Sequence, residues 1–137
     1  MEKREHQRLL LNIESLFFIE NDSLTEKEFS GQIDDISESG ISIRLEKEAN
    51  KEVIKVLEVG TEFTFSTFDI LSYNEKEDFK YISGVAKIVR IEELENNIFV
   101  YGCRIVKPDK EIVKYLDEKR ANNYLKRLQA LNKFHRE

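Results

Sequence analysis

Short segments in which apolar and polar side chains alternate dominate this chain and restrict it to a sheet. The clearest such segment is residues 41–45, where Ile41, Ile43 and Leu45 alternate with Ser42 and Arg44. A period of two places the three apolar side chains on one face of a β-strand. Similar segments recur between turn-forming residues and predict six strands, over residues 9–19, 29–36, 41–45, 62–71, 79–92 and 98–106. With so little helical pattern between them, we expect an antiparallel meander that closes into a barrel.

Turn-forming residues indicate where the strands of this sheet are connected. Ser37-Glu38-Ser39-Gly40 predicts the turn between the second and third strands, and Glu95-Asn96-Asn97 predicts a hairpin turn because asparagine tolerates positive φ. Gly84, inside the fifth segment, predicts a bulge or a bend of the barrel.

Two segments have helical patterns instead. Residues 46–59 are rich in Glu and Lys, and Ala49, Val53 and Leu57 recur at helical spacing, which predicts a short helical connection ending before Gly60. The fold expected is therefore mainly β, a six-stranded antiparallel barrel with a short helical connection and a long C-terminal α-helix.

The C-terminal helix is predicted from apolar residues that repeat every three or four positions after Pro108 as far as Phe134. Such a helix is on the order of 40 Å long, which exceeds the width of a small barrel. It would cover one open end of the barrel, and either it bends near Lys119-Arg120 or its distal half packs on something else. The chain divides accordingly into an arm (1–8), a barrel (9–107) and a helix (108–137).

Composition narrows the functional classes. The 137 residues suffice for one domain with a modest core. The net charge of −5 argues against a binder of nucleic-acid polymers, although a few arginines can still hold two phosphates. The single cysteine, Cys103, has no partner for an internal disulfide, so a cytoplasmic location is expected. The apolar runs near the N-terminus are too short for a signal peptide or membrane insertion.

Two polar motifs flank the first predicted hairpin. Arg4 and Arg8 lie four residues apart, and Asp35-Ile36-Ser37-Glu38-Ser39-Gly40 follows at a strand–turn–strand corner. The arginines supply permanent planar cations, and the corner supplies hydrogen-bond acceptors. Alone, the first motif is most simply a solvated tail and the second a turn. Together they suit a small ligand that carries phosphates and hydrogen-bonding bases.

In this order and strand context, the motifs resemble those of the PilZ domain. Arg-x-x-x-Arg at 4–8 is followed by Asp-x-Ser-x-x-Gly at 35–40, on a six-stranded barrel with a C-terminal helix. Val59-Gly60 before a strand and Tyr101-Gly102-Cys103-Arg104-Ile105 in the last strand are also similar to the family. The resemblance extends from the first arginine to the start of the final helix, and it has the form of a stand-alone, single-domain member.

The resemblance implies binding of the bacterial second messenger cyclic di-GMP (c-di-GMP), with no other cofactor. Arg4 and Arg8 would pair with a phosphate or with the Hoogsteen edge of guanine, or stack on a base. Asp35 and Ser37 would hydrogen-bond a guanine, and Gly40 would allow the tight turn and a close approach of the ligand. Lys3, which precedes Arg4, and His6, which lies between the two arginines, would be accessory contacts to the ligand.

No other chemistry is expected from the sequence. With two histidines and one cysteine, a metal site is not expected. Ser37 has no evident histidine partner, so nucleophilic catalysis is unsupported and the chain is not expected to be an enzyme. Cys103 has apolar neighbours in its strand and is expected in the core.

The signalling hypothesis is that the ligand orders the arm. Residues 1–8 carry no apolar anchor beyond Met1, so the arm is expected to be mobile without ligand and to form a new surface with it. An unidentified effector protein would recognise that surface. The distal helix (Tyr124, Leu125, Leu128, Leu131 and Phe134) would contact this effector, pair with a second copy as a homodimer, or fold back on the barrel. The alternative function is that of a nucleotide-independent, PilZ-like interaction adaptor.

Overall fold

The computed structural model describes residues 8–73, 76–107 and 110–135. The elements in chain order are β1 (Leu9–Phe18), β2 (Glu28–Ile36), β3 (Gly40–Glu46), a 3-10 turn (Glu48–Asn50), α1 (Lys51–Val56), β4 (Glu62–Tyr73), β5 (Lys76–Leu94), β6 (Ile98–Ile105) and α2 (Lys110–His135). The mainly β fold, the short helical connection and the long C-terminal helix are confirmed.

The strands form a closed antiparallel barrel in the order β1-β2-β3-β6-β5-β4, with β4 paired to β1. The predicted meander is wrong in this respect, because β3 pairs with β6 rather than with β4. The cause is the segment between β3 and β4. Val53 and Leu57 of this segment are buried in the core, so the segment crosses the barrel. The following strand, β4, therefore begins beside β1.

The barrel interior follows the alternation in the sequence. Ile41, Ile43 and Leu45 are completely buried, and they pack with inward side chains of the other strands. Asn96 and Asn97 both adopt positive φ, which confirms the hairpin turn between β5 and β6.

Three β-bulges interrupt the ladders at the same level of the barrel. One extra residue is inserted in β1 between Leu10 and Ile13, in β2 between Ile33 and Asp35, and in β5 between Ile88 and Arg90. Pairing of β4 with β5 is continuous through Gly84, so the bulge predicted at that glycine lies instead at Val89.

Each extra residue places two consecutive side chains on one face of the strand. Ile33 and Ile36 are both buried in the barrel, and the two aspartates between them, Asp34 and Asp35, both lie on its outer surface. A regular strand would have directed one of them into the core.

The first half of α2 packs on the barrel through Ile112, Tyr115 and Leu116, all of which are buried. The Tyr115 hydroxyl donates to Oδ2 of Asp69 on β4 at 2.7 Å, and Lys119 pairs with the same carboxylate at 2.9 Å. These contacts attach the helix to the barrel wall.

Beyond this region the helix continues without packing on the barrel. Tyr124, Leu125, Leu128 and Leu131 are all exposed, from 37% for Leu125 to 61% for Tyr124. Of the three alternatives for these residues, folding back on the barrel is wrong, because α2 is too long for the surface that it crosses. The side chain of Phe134 lies outside the described part of the chain.

Candidate functional site

The corner between β2 and β3 is held by its own serine. The Ser37 backbone N–H donates to the Gly40 carbonyl oxygen at 2.8 Å. The Ser37 hydroxyl oxygen in turn accepts hydrogen bonds from the N–H groups of Ser39 and Gly40, at 3.3 and 3.1 Å. Ser37 is only 2% exposed. Its hydroxyl oxygen therefore helps to fix the shape of the turn, and the contact with a guanine stays a prediction.

Arg8 reaches this corner from the residue that precedes β1. Its Nη1 donates to Oδ1 of Asp35 at 2.6 Å, and both side chains are about four-fifths buried, with exposures of 20% and 19%. The bulge at Asp34 makes the pair possible, because it turns Asp35 onto the outer surface where the guanidinium lies.

Gly40 completes the cluster by leaving room for the same guanidinium. A methyl group at this position would lie 2.9 Å from Nη2 of Arg8 and 3.1 Å from the carbonyl oxygen of Cys103. Any side chain here would displace Arg8 or the neighbouring strand. The glycine of the motif is therefore required for the packing of Arg8 as well as for the turn.

The structure thus brings together four of the predicted residues, Arg8, Asp35, Ser37 and Gly40. Arg4, Lys3 and His6 lie outside the described residues. A permanent cation, a carboxylate and a tight turn on one outer surface suit the binding of an anionic ligand with hydrogen-bonding groups.

The corner is linked to α2 by a contact that the sequence does not predict. Glu38, within the corner motif, accepts a hydrogen bond through Oε1 from Nη1 of Arg120 at 2.8 Å. This hydrogen bond raises the pKa of Arg120 above its already high ordinary value. The two residues are far apart in the sequence, and a Glu in a turn and an Arg in a helix gave no signal of contact.

Cys103 lies beneath the corner and is part of the core. It is 1% exposed, and burial raises its pKa to about 12, an effect that the nearby charge of Arg8 partly opposes. The neighbouring Tyr101 is also buried, and its pKa is likewise raised by burial to about 12. Both groups therefore stay neutral, and the expectation that this cysteine packs in the core is confirmed.

The state of this thiol is testable by alkylation. In the folded protein Cys103 should remain unmodified by iodoacetamide between pH 8 and pH 10, although an unfolded thiol ionises in that range, because the raised pKa keeps it protonated. Mass spectrometry of native and urea-unfolded samples at each pH measures the difference. Rapid labelling of the native protein would contradict this description of the core.

The described residues contain no group of three His, Cys, Asp or Glu side chains arranged to hold a metal ion. None of the described helices has the length and apolar character that a membrane-crossing helix needs.

The chain was compared with family models and with the sequences of known proteins. The family model described as PilZ domain matches residues 2–119. No curated protein is detectably similar to the chain in sequence.

Three solved structures are similar in fold. The PilZ domain of YcgR from Escherichia coli, solved with c-di-GMP, has a TM-score of 0.60 at 13% identity, over 94% of this chain and 98% of that one. The Bacillus subtilis inhibitor of motility (MotI/DgrA) has a TM-score of 0.59 at 17% identity and covers 97% of this chain. The MrkH–c-di-GMP complex of K. pneumonia has a TM-score of 0.53 at 13% identity, again over 97%. This chain spans 54% of the length of each of the last two proteins.

Proposed function

Because the chain belongs to the PilZ domain family, we propose that it is a receptor for c-di-GMP that binds the nucleotide at the corner between β2 and β3. The observation that carries this proposal is the convergence of Arg8, Asp35 and Gly40 on one outer surface, although 27 residues separate Arg8 from Asp35. Two similar structures were solved with c-di-GMP, which supports the choice of ligand.

The proposed contacts divide between the two motifs. The guanidinium of Arg8 uses Nη1 for Asp35, and its other N–H donors serve a phosphate or the Hoogsteen edge of a guanine. The carboxylate of Asp35 accepts from the N1–H and N2–H donors of a guanine. Ser37 and Gly40 act by fixing the turn and by leaving space for Arg8. Arg4, with Lys3 and His6 as accessories, supplies further contacts from the N-terminal side.

The signal is proposed to pass through the N-terminal arm. Arg8 is already at the corner, so ligand-dependent ordering concerns the residues before it. These residues include Arg4 but no apolar side chain beyond Met1. A ligand held between Arg4 and the corner would supply the anchor that the sequence lacks, and it would create a composite surface for an effector protein.

Two exposed apolar surfaces are available for that effector or for a second copy. One is the distal part of α2. The other is the outer face of the β4–β5 ribbon, where the rings of Phe68 and Tyr81 lie 5.1 Å apart and are 64% and 58% exposed. Ile70 and Phe79 pair across the same face and are also exposed. Exposed apolar residues clustered in this way are typical of interaction surfaces.

The pair of Glu38 and Arg120 is proposed to couple the corner to α2. In the wild-type protein, c-di-GMP should slow amide hydrogen exchange in the packed half of α2. Glu38→Gln should abolish this slowing while changing the Kd for c-di-GMP by less than about threefold, because it weakens the ion pair with α2 at a residue that is not proposed to contact the nucleotide. Hydrogen-exchange mass spectrometry with and without nucleotide measures the effect.

A matched control is Lys119→Gln, which removes another ion pair between α2 and the barrel, the one with Asp69, away from the corner. It should loosen the helix equally with and without nucleotide. Full ligand-induced protection of α2 in Glu38→Gln would contradict the proposed coupling.

Thermal unfolding distinguishes the receptor from a nucleotide-independent adaptor. A ligand that binds only the folded state stabilises it by about 2.7 kcal/mol at 100 times its Kd, which raises the melting temperature by several degrees. The receptor should show this rise with c-di-GMP and not with GMP. An unchanged melting temperature at saturating c-di-GMP would favour the adaptor.

A further inference from the structure

The outer surface next to the corner carries two further arginines, Arg90 and Arg104, which belong to neither of the two polar motifs at 4–8 and 35–40. In the sheet register, Gly40 on β3 pairs with Arg104 on β6, and Gly102 on β6 pairs with Arg90 on β5. Both arginine side chains are exposed. No described carboxylate lies within ion-pair distance of either one, Glu92 on the same strand as Arg90 included, although acidic residues outnumber basic ones in the chain.

A β-bulge is responsible for the position of Arg90. Ile88 is buried and pairs with Cys103, and the extra residue Val89 lets Arg90 pair with Gly102. Without the bulge, the next pair along the ladder would bring Arg90 opposite Tyr101, whose side chain is in the core. The bulge therefore directs a guanidinium onto the outer surface, as bulges beside binding sites commonly do.

Arg90 packs on a glycine in the same manner as Arg8. A methyl group at Gly102 would lie 3.1, 3.2 and 3.3 Å from Nη2, Nε and Cζ of Arg90. Gly40 and Gly102 are diagonal neighbours on paired strands, roughly 7 Å apart. The guanidinium of Arg90 thus lies flat on Gly102, that of Arg8 lies against Gly40, and Arg104 is next to both glycines in the register.

The floor between these groups is built from small residues. One row of the sheet runs Asp35, Ser42, Gly102 and Arg90 across four strands, a span of roughly 15 Å at about 4.8 Å per strand. Asp35 with its partner Arg8 stands at one end and Arg90 at the other. Ser42 is only 6% exposed and Gly102 is buried beneath Arg90, so the row is covered and the cations at its two ends form the accessible part. Cations about this far apart fit a ligand with two anionic groups.

We infer that Arg90 and Arg104 form a second phosphate subsite, which holds a phosphodiester group that Arg8 does not reach. This inference rests on the proposed function. The phosphodiester belongs either to the same c-di-GMP molecule as the one at Arg8 or to a second, stacked molecule. The chemistry recognised is the same, and stoichiometry separates the two sources.

The test is isothermal titration of c-di-GMP into the wild type, Arg90→Gln and Arg104→Gln at several salt concentrations. Each variant should raise the Kd about tenfold and flatten the dependence of log Kd on log salt, because one phosphate contact is lost. An unchanged stoichiometry assigns the phosphodiester to the same molecule, and a fall from two ligands to one assigns it to a second molecule. Arg127→Gln, on the distal helix, is the matched control for loss of charge.

The two proposals fail in different ways. If the wild type binds c-di-GMP and both variants match Arg127→Gln in Kd and salt dependence, the second subsite is overturned and the proposed function stands. If the wild type does not bind, both are overturned. The denaturation midpoint of each variant is measured in parallel, and midpoints near the wild-type value show that a loss of affinity is not a loss of fold.

Discussion

Arg8→Ala should weaken c-di-GMP binding by at least about 100-fold and leave the protein folded. The guanidinium contacts both ends of the corner motif, because it donates to Asp35 and packs on Gly40. Removing it deletes charge-assisted hydrogen bonds to the ligand and leaves the carboxylate of Asp35 unpaired where the phosphates are expected. Titration calorimetry of the variant measures the loss.

The fold should tolerate this change. Because the pair is about four-fifths buried, loss of its charge-assisted hydrogen bond should cost about 1.5–3 kcal/mol, which lowers the urea midpoint but leaves the variant folded. Arg8→Lys should recover only a small part of the affinity, since an ammonium group keeps the charge but lacks the planar fork. Wild-type affinity in Arg8→Ala would exclude the corner as the binding site.

The second large effect expected is on stability, in Leu116→Ala. Leu116 is completely buried where α2 packs on the barrel. Truncation of a buried leucine leaves a cavity and costs about 2–5 kcal/mol in the free energy of unfolding. Urea denaturation of the variant at neutral pH measures this quantity.

The same helix supplies a matched control for this prediction. Leu128 is 39% exposed beyond the region that packs on the barrel, so Leu128→Ala should lower the free energy of unfolding by no more than about 0.5 kcal/mol. Equal losses in the two variants would mean that the distal helix is buried against another surface in solution, as in a homodimer, and dilution should then reduce the loss at Leu128.

The sequence predicted those parts of the fold that depend on local patterns. Ile41, Ile43 and Leu45 alternate with polar residues without interruption, and the strand predicted from them is present as β3. The order of the strands depends on burial of Val53 and Leu57, which pulls the chain across the barrel. The helical pattern of residues 46–59 does not indicate which strand the following strand, β4, will pair with.

The candidate site was predictable as a set of residues but not as a geometry. Register decides which side chains face outward, and one bulge reverses the alternation for every residue that follows. The buried Ile36 after Asp34-Asp35 is the local sign of such a bulge, and Gly102 inside a strand is the sign of a close approach by another group. Contacts between distant segments, such as Glu38 with Arg120, leave no local pattern.

Binding of c-di-GMP at the corner is tested by isothermal titration of the nucleotide into the purified wild-type protein, with Arg8→Ala measured in parallel. We expect saturable binding by the wild type with a Kd below about 50 µM, equivalent to roughly 6 kcal/mol, and no detectable heat of binding with the variant. Absence of binding by the wild type at that concentration, or equal binding by both proteins, would contradict binding at the corner.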